Sequence, residues 1–352
     1  MTGQAGSERR RTLGGCRCGV DIHAHVVPAH FPAYLRGATP KGWPAMAEAQ
    51  PCHRHVVIDG RTYRTVSDRC WDVPKRLADM DGMSLSLQAI SAMPELMSYW
   101  MDAADADELL RYINDQIAAM VTESGGRLVG LGALPLQDMD RALAELERLM
   151  RDPGFAGVQV GSNVNGRPIG ASDFDPFFEA AEELGAAVFV HAVRPCGQER
   201  LVGPGQLQQV LAYPGDVGLA AASVICSNLM LRRPRLRIAF SHGGGTLGLL
   251  LPRLEEGRRV FPALQESIEV SPTEQARRLF YDALVYDEPT LQHLVRLFGE
   301  TQVMIGTDYP FNFHERHPVG RIEAAFAEEA LRARLLRDNA AAFLGRPSEV
   351  SP

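Results

Sequence analysis

Eight short apolar or β-branched runs, at 19–23, 84–91, 128–134, 157–161, 187–191, 237–241, 279–284 and 302–306, constrain this 352-residue chain more than any other feature. Most are separated by stretches with helical periodicity, clearest at 102–123, 138–151, 174–185, 206–232, 288–298 and 321–344. In 138–151 the leucines Leu143, Leu146 and Leu149 share one stripe. Strands that alternate with helices pair in parallel, and eight such units predict an α/β fold closed as a (β/α)8 TIM barrel. Length alone suggests two or three domains, but a barrel of this size is ordinary as one. The expected division is a disordered N-terminal tail over 1–18, the barrel over 19–346 and a C-terminal tail over 347–352.

The interval from Val26 to Gly82 is longer than one crossover helix requires. Within it Val56-Val57-Ile58, then Asp59-Gly60, then Thr62-Tyr63-Arg64-Thr65-Val66 read as a hairpin, since Asp-Gly suits a tight primed turn. A small β-rich insertion over about 28–70 is therefore expected after the first strand.

Charge and cysteine usage exclude several classes. The formal charge of −7, with 36 basic residues dispersed among 43 acidic ones, leaves no basic stripe for nucleic acid or an anionic membrane. The N-terminal MTGQAGSERRRTLGG has no apolar core behind its charges, so no signal peptide or anchor is expected, and the chain reads as cytosolic. The most apolar stretch, 217–231, is short for a bilayer and contains Ser223, Ser227 and Asn228, so it reads as a buried helix. The six cysteines, at 16, 18, 52, 70, 196 and 226, lack the spacing of a disulfide scaffold and are expected to be reduced. Cys16, Cys18, Cys52, His53 and His55 could be imagined as a second zinc cluster, but Cys-x-Cys matches the usual ligand spacing poorly. His53 and His55, away from any barrel strand end, read as surface or packing residues.

Functional side chains in such a barrel project from the C-terminal ends of the strands. There the first strand ends in His23 and His25, the fifth in His191, the sixth in His242 and the eighth in Asp308. A His-x-His pair on a strand points both rings the same way, because side chains alternate faces. Singly, each residue could be a packing histidine or a turn aspartate. Together they converge on one mouth. Three neutral imidazoles and a carboxylate suit one borderline divalent ion, zinc first and Mn2+ or another as alternatives, with an open position for water. Such an ion lowers the pKa of bound water to ~7. The fourth strand, Gly157 to Gly161, carries no lysine that could be carbamylated to bridge a second ion. With four ligands assigned, His242 is expected as an acid/base group. Gly243-Gly244-Gly245 lets the chain turn sharply after it.

Beyond these positions, the segments Asp21-Ile-His-Ala-His, Arg69-Cys-Trp-Asp, Ser98-Tyr-Trp, Gly130-Leu-Gly-Ala-Leu-Pro, Gly157-Val-Gln-Val-Gly, Phe189-Val-His, His242-Gly-Gly-Gly, Tyr281-Asp-Ala-Leu-Val and Gly306-Thr-Asp-Tyr-Pro-Phe run in order along the chain. In them it resembles the amidohydrolase-superfamily branch typified by α-amino-β-carboxymuconate-ε-semialdehyde decarboxylase. The resemblance implies a zinc-dependent, non-oxidative decarboxylase with ligands His23, His25, His191 and Asp308 and an acid/base at His242. It also implies substrate-carboxylate arginines at Arg64 and Arg253, the second reaching across a homodimer, and substrate contacts from Trp100 and Phe311. A guanidinium can fork onto a carboxylate as lysine cannot.

The chain also departs from that branch. After His191 it reads Ala192-Val193-Arg194-Pro195-Cys196-Gly197-Gln198, where the family carries aromatics. Tyr286 replaces a family histidine, and Ser162-Asn163 replaces a Thr-His pair. The expected substrate is thus a small unsaturated or aromatic carboxylic acid, with the pocket diverged. For a phenolic acid bound directly at the metal, Asp308 would protonate the ring carbon. The alternative is a metal-dependent hydrolase of a C–N or C–O bond at the same site, since barrel and ligands serve both.

Overall fold

In a computed structural model describing residues 18–346, the eight runs are eight strands. They are β1 (Gly19–Val26), β2 (Leu85–Ala92), β3 (Leu128–Ala133), β4 (Phe155–Gly161), β5 (Ala187–His191), β6 (Arg237–Phe240), β7 (Phe280–Asp282) and β8 (Val303–Met304). They pair in chain order in one parallel sheet. Bridges from Asp21 to Ile305 and Ala24 to Tyr309 bring the last strand back to the first, and His25 N donates to Tyr309 O at 2.7 Å. The (β/α)8 barrel thereby closes. Positions 1–17, with Cys16, and 347–352, which the sequence assigns to the tails, lie outside the described residues.

Helices cover the outer face of the sheet, so β1, β3, β4 and β5 are buried along their whole length. That double burial makes β3 and the first four residues of β5 read as continuous apolar runs, broken in β1 and β4 only by the buried polar residues Asp21, His23, His25 and Gln159. Inside, Val20, Ile22, Phe189 and Met304 meet Phe343 and Leu344 of the terminal helix Asn339–Leu344. Phe343 lies against Phe280 at the start of β7, so this helix plugs the N-terminal end. The mouth at the other end stays open for function. Asp102 and Asp138 cap the helices Ala103–Glu123 and Met139–Met150 by accepting from Ala104 N and Arg141 N. On the second, Leu146 and Leu149 are buried and Leu143 is half-buried.

Two helical expectations need correction, and one further helix was not expected. The stretch 206–232 is broken, because Asn228 is left-handed (φ 55°) and its side chain bonds Ser267 O and Glu269 N. The stretch 321–344 is interrupted where Phe326 is extended after the helix Pro318–Ala325. The further helix is Leu247–Val260, which continues through Pro252, a residue that ordinarily ends helices. The first part of the stretch 206–232, Gln208–Cys226, is long and apolar enough to cross a membrane by length and composition alone. Here Val217, Ala221 and Val224 are buried, and Asp216 in the same helix bonds Ser162.

The insertion is a three-stranded antiparallel sheet of Pro44–Glu48, His53–Ile58 and Arg61–Ser67. Asp59 and Gly60 have φ of 52° and 72°, the two left-handed residues that a type I′ turn demands. Its last strand carries Tyr63 and Arg64 to the barrel mouth.

Candidate metal centre and active site

Strand β1 places His23 and His25 on one face, and their Nε2 atoms lie 3.1 Å apart. Asp308 Oδ1 is 3.0 Å from His25 Nε2 and 3.6 Å from His23 Nε2. With His191 from the end of β5, one donor atom from each residue falls within 4.8 Å of all the others, the only such group of three or more among the described residues. The far side of each ring is anchored to oxygen. His23 Nδ1 meets Asp282 Oδ2 at 2.7 Å, His25 Nδ1 meets Ala92 O at 3.2 Å and His191 Nδ1 meets Ala192 O at 2.8 Å. Donation from Nδ1 fixes the tautomer that leaves Nε2 with its lone pair, the usual arrangement of metal-binding histidines. His191 Nε2 is buried with no hydrogen-bond partner, a costly state for a polar atom unless a ligand completes it. The donor set therefore fits a divalent ion.

Burial keeps these rings neutral. It lowers His23, His25 and His242 to about 3 and His191 well below its ordinary value. His242 follows β6 with a left-handed φ of 55° and lies outside the four-residue cluster. Its ring centroid is 5.4 Å from that of His23 and 5.1 Å from that of His191. It lines the same cavity, of about 250 Å³.

Sequence reasoning missed the residue that ties this arrangement together. Asp282, at the end of β7, accepts from His23 Nδ1, from His242 N at 2.9 Å and from Gly243 N at 2.8 Å. The Gly243–Gly245 turn has positive φ throughout, which presents the last of these amides. Gly306 on the neighbouring segment leaves room, since a Cβ there would sit 2.6 Å from that of Asp282. The signal was available, because Asp282 is another polar residue at a strand end. A second missed group lies beneath. Asp21 accepts from His23 N, Gln88 Nε2 and Thr307 Oγ1, and burial pushes its carboxyl up to about 7. Buried Arg76 donates to Gln88 Oε1 and to His25 O, which fixes the backbone of β1.

The other expected site residues divide. Arg64 and Phe311 reach the cavity, with the Arg64 guanidinium carbon 4.3 Å from the centre of the Phe311 ring, which itself stacks on His25. Tyr63, Tyr213 and Tyr286 complete an aromatic rim. Arg253 is exposed on the helix Leu247–Val260 and does not line this cavity. Trp100 is placed elsewhere, in a second cavity beneath the Arg194 guanidinium. Just before it, Ser98 has a left-handed φ of 55° and the Tyr99 hydroxyl accepts from Gly161 N.

Known proteins share this architecture. The chain is 35% identical over 328 residues to 2-amino-3-carboxymuconate-6-semialdehyde decarboxylase of Dictyostelium discoideum, covering 93% of this chain and 91% of that one. It is similar in structure to 5-carboxyvanillate decarboxylase from Sphingomonas paucimobilis, with a TM-score of 0.72 and 27% identity over 79% and 85% of the two chains. The fold also matches a dihydroxybenzoic acid decarboxylase from Polaromonas, solved with manganese and 2-nitroresorcinol, at TM-score 0.70 and 22% identity over 79% and 87%. A family model described as Amidohydrolase matches residues 20–346, from the start of β1 to the end of the terminal helix. By that match, and by the relative aligned across nearly its whole length, the chain belongs to the amidohydrolase family.

Proposed function

We propose that this protein is a metal-dependent, non-oxidative decarboxylase of a small unsaturated or aromatic carboxylic acid. One divalent ion per chain is held by His23, His25, His191 and Asp308. Imidazole-rich donors favour zinc, and manganese, present in the Polaromonas structure, is the alternative. The observation that carries the reading is the division of labour among the histidines. Three are anchored through Nδ1 with Nε2 convergent, while His242 faces the same cavity from outside that cluster. The named relatives, all decarboxylases of unsaturated or aromatic acids, support the reaction class.

When bound, the ion acts as a Lewis acid that polarises a substrate oxygen and stabilises negative charge as CO2 departs. The protein supplies the rest. His242, neutral through burial and with Nδ1 3.3 Å from Ser241 Oγ, takes up a proton from water at Nε2 and delivers it to the substrate carbon that loses CO2. The electron pair of the broken C–C bond passes into the conjugated system and then into the new C–H bond. For a phenolic acid bound directly at the metal, Asp308 would protonate the ring carbon instead. Arg64, braced on Phe311, forks onto a carboxylate and orients it. Met93, Pro94, Leu284 and Val285 supply apolar walls that limit water.

The working form is a cytoplasmic homodimer in which the partner's Arg253 completes the site. Supporting this, Leu249 and Leu250 are exposed beside Arg253 on one helix, an apolar surface suited to a second copy. The test is product analysis of the metal-loaded enzyme on unsaturated and aromatic acids. Stoichiometric CO2 with a C–H bond at the vacated carbon is expected; solvent oxygen incorporated without CO2 release would refute the decarboxylase reading.

A further inference from the structure

Two tyrosines of the cavity, Tyr63 and Tyr213, have no part in the chemistry above, and each comes to it through an irregularity in its own element. In the hairpin, Val56 pairs with Arg64 and Val57 with Thr62, so Tyr63 is an extra residue in the last strand. A bulge of this kind re-aims a side chain. Consecutive strand residues ordinarily face opposite ways, yet Tyr63 and Arg64 both line the cavity. The second tyrosine follows a wide π-helical turn over Gln208–Ala212. The wide turn keeps Gln209, Tyr213 and Pro214, four and five residues apart, on the cavity face. Bulges and π-turns interrupt regular ladders and gather at functional sites.

The two side chains meet, with the Tyr63 hydroxyl hydrogen-bonded to that of Tyr213. Tyr213 is buried, its ring edge-on to His191 with 5.9 Å between centroids, while Tyr63 stays partly exposed. Burial pushes both phenols up, so both keep their protons. Of the two protons, one is spent on the mutual bond, which leaves one O–H to donate and oxygen lone pairs to accept. That complement suits a group that does both, a neutral hydroxyl. A carboxylate only accepts, and the fork of Arg64 meets it better. The two positions rest on different walls: Arg64 on Phe311 and through it His25, Tyr213 against His191.

Resting on the reading of this cavity as a site for a carboxylic acid, we propose that Tyr63 and Tyr213 determine specificity by hydrogen-bonding a hydroxyl of that acid, at a position away from the carboxylate that Arg64 holds.

The test measures binding. Benzoate, 3-hydroxybenzoate and 4-hydroxybenzoate are titrated calorimetrically into metal-loaded parent, Tyr63→Phe, Tyr213→Phe and the double variant. In the parent, at least one hydroxy isomer is expected to bind roughly 2–10-fold more tightly than benzoate, the worth of one neutral hydrogen bond. Each single variant is expected to lose most of that preference while its benzoate affinity is unchanged. The double variant is expected to lose no more than the larger single loss, because the hydroxyls act as a pair. A parent that binds neither hydroxy isomer more tightly than benzoate, a preference that survives in the double variant, or variants that weaken all three ligands alike would each overturn the proposal. Failure of the decarboxylase reading is a different outcome, because it shows as missing CO2 in turnover while a hydroxyl preference in binding persists whichever bond the enzyme breaks.

Discussion

Replacing Asp282 by asparagine probes the metal centre without touching a proposed ligand. The carboxylate accepts four hydrogen bonds: Oδ2 from His23 Nδ1 and His242 N, Oδ1 from Gly243 N and Leu284 N. Asparagine keeps the shape but turns one oxygen into a donor. Whichever way the amide is set, two buried N–H groups then face an N–H2. Each unsatisfied donor costs about 1–3 kcal/mol, so the gross loss is roughly 2–6 kcal/mol. Removing a charge whose burial already raises its pKa recovers part of this. A net destabilisation of about 2–4 kcal/mol is expected in urea unfolding of the metal-free protein.

The effect on the ion follows separately. The cheaper amide orientation keeps oxygen toward the two loop amides, so the NH2 group faces His23. His23 must then move its proton to Nε2, the atom that points at the site. Loss of such a supporting carboxylate typically lowers metal affinity 10–100-fold, or about 1.4–2.7 kcal/mol. Competition with a fluorescent chelator on the folded variant measures it directly. Gly306→Ala, which crowds the Asp282 side chain, is expected to shift affinity the same way by a smaller amount. An Asp282→Asn protein that holds its ion as tightly as the parent would refute the claim that this carboxylate sets the tautomer of His23.

The remaining expectations concern the reaction, the pH response and the assembly. His242→Ala should retain its metal, by elemental analysis, while turnover falls roughly 10²-fold or more; loss of the ion would instead make it a ligand. The metal-free protein should weaken in acid. Burial lowers His23, His25 and His242 from 6.5 to about 3, so their contribution is complete above 6.5 and is lost as pH falls toward 3. Asp21, raised from 3.8 to about 7, works the other way, losing stability as pH rises through that range. The four lowered imidazoles, His191 among them, outnumber the raised carboxyls of Asp21 and Asp282, so the unfolded chain binds more protons between 3.8 and 6.5 and stability falls as pH falls. Urea midpoints that hold steady or rise from pH 6.5 to pH 5 would contradict this. Mixing inactive Arg64→Ala and Arg253→Ala subunits should restore part of the activity, because one hybrid site keeps both arginines; no recovery in demonstrated heterodimers would count against the shared site.

The strands were readable because a barrel strand is buried on both faces, and continuous apolar runs such as Leu128 to Leu131 or Val188 to Val190 carry that burial openly. The residues of the centre were readable for a related reason, since polar groups such as His191 and Asp308 stand out where an apolar run stops. Asp282 stands at a strand end too, but its partners are not written in its own segment. Its role depends on the amides of Gly243 and His242 and on the ring of His23, which are brought together only by closure of the sheet. Trp100 lies on a matching segment too, yet it lines another cavity, which its residue type alone does not tell.

A common device explains both what was legible and what was not. His242 and Asp308 follow β6 and β8 with φ of 55° and 61°, and Arg194 and Tyr286 follow β5 and β7 with φ of 41° and 65°. Non-glycine residues in this region cost about 1–2 kcal/mol each, and none of the four is the glycine that would avoid the cost. A strand that continued straight would point alternate side chains into the barrel and out of it. The left-handed step instead breaks that alternation at the mouth, so that residues just past the strand can face the cavity. Residue type can announce that a strand end carries a histidine or an aspartate, but the direction in which it points is fixed by tertiary bonds such as His242 N to Asp282 and Asp308 N to His23 O. Strain at the mouth is therefore held by the same contacts that orient the proposed ligands, and weakening Asp282 should disturb the His242 turn together with the ion.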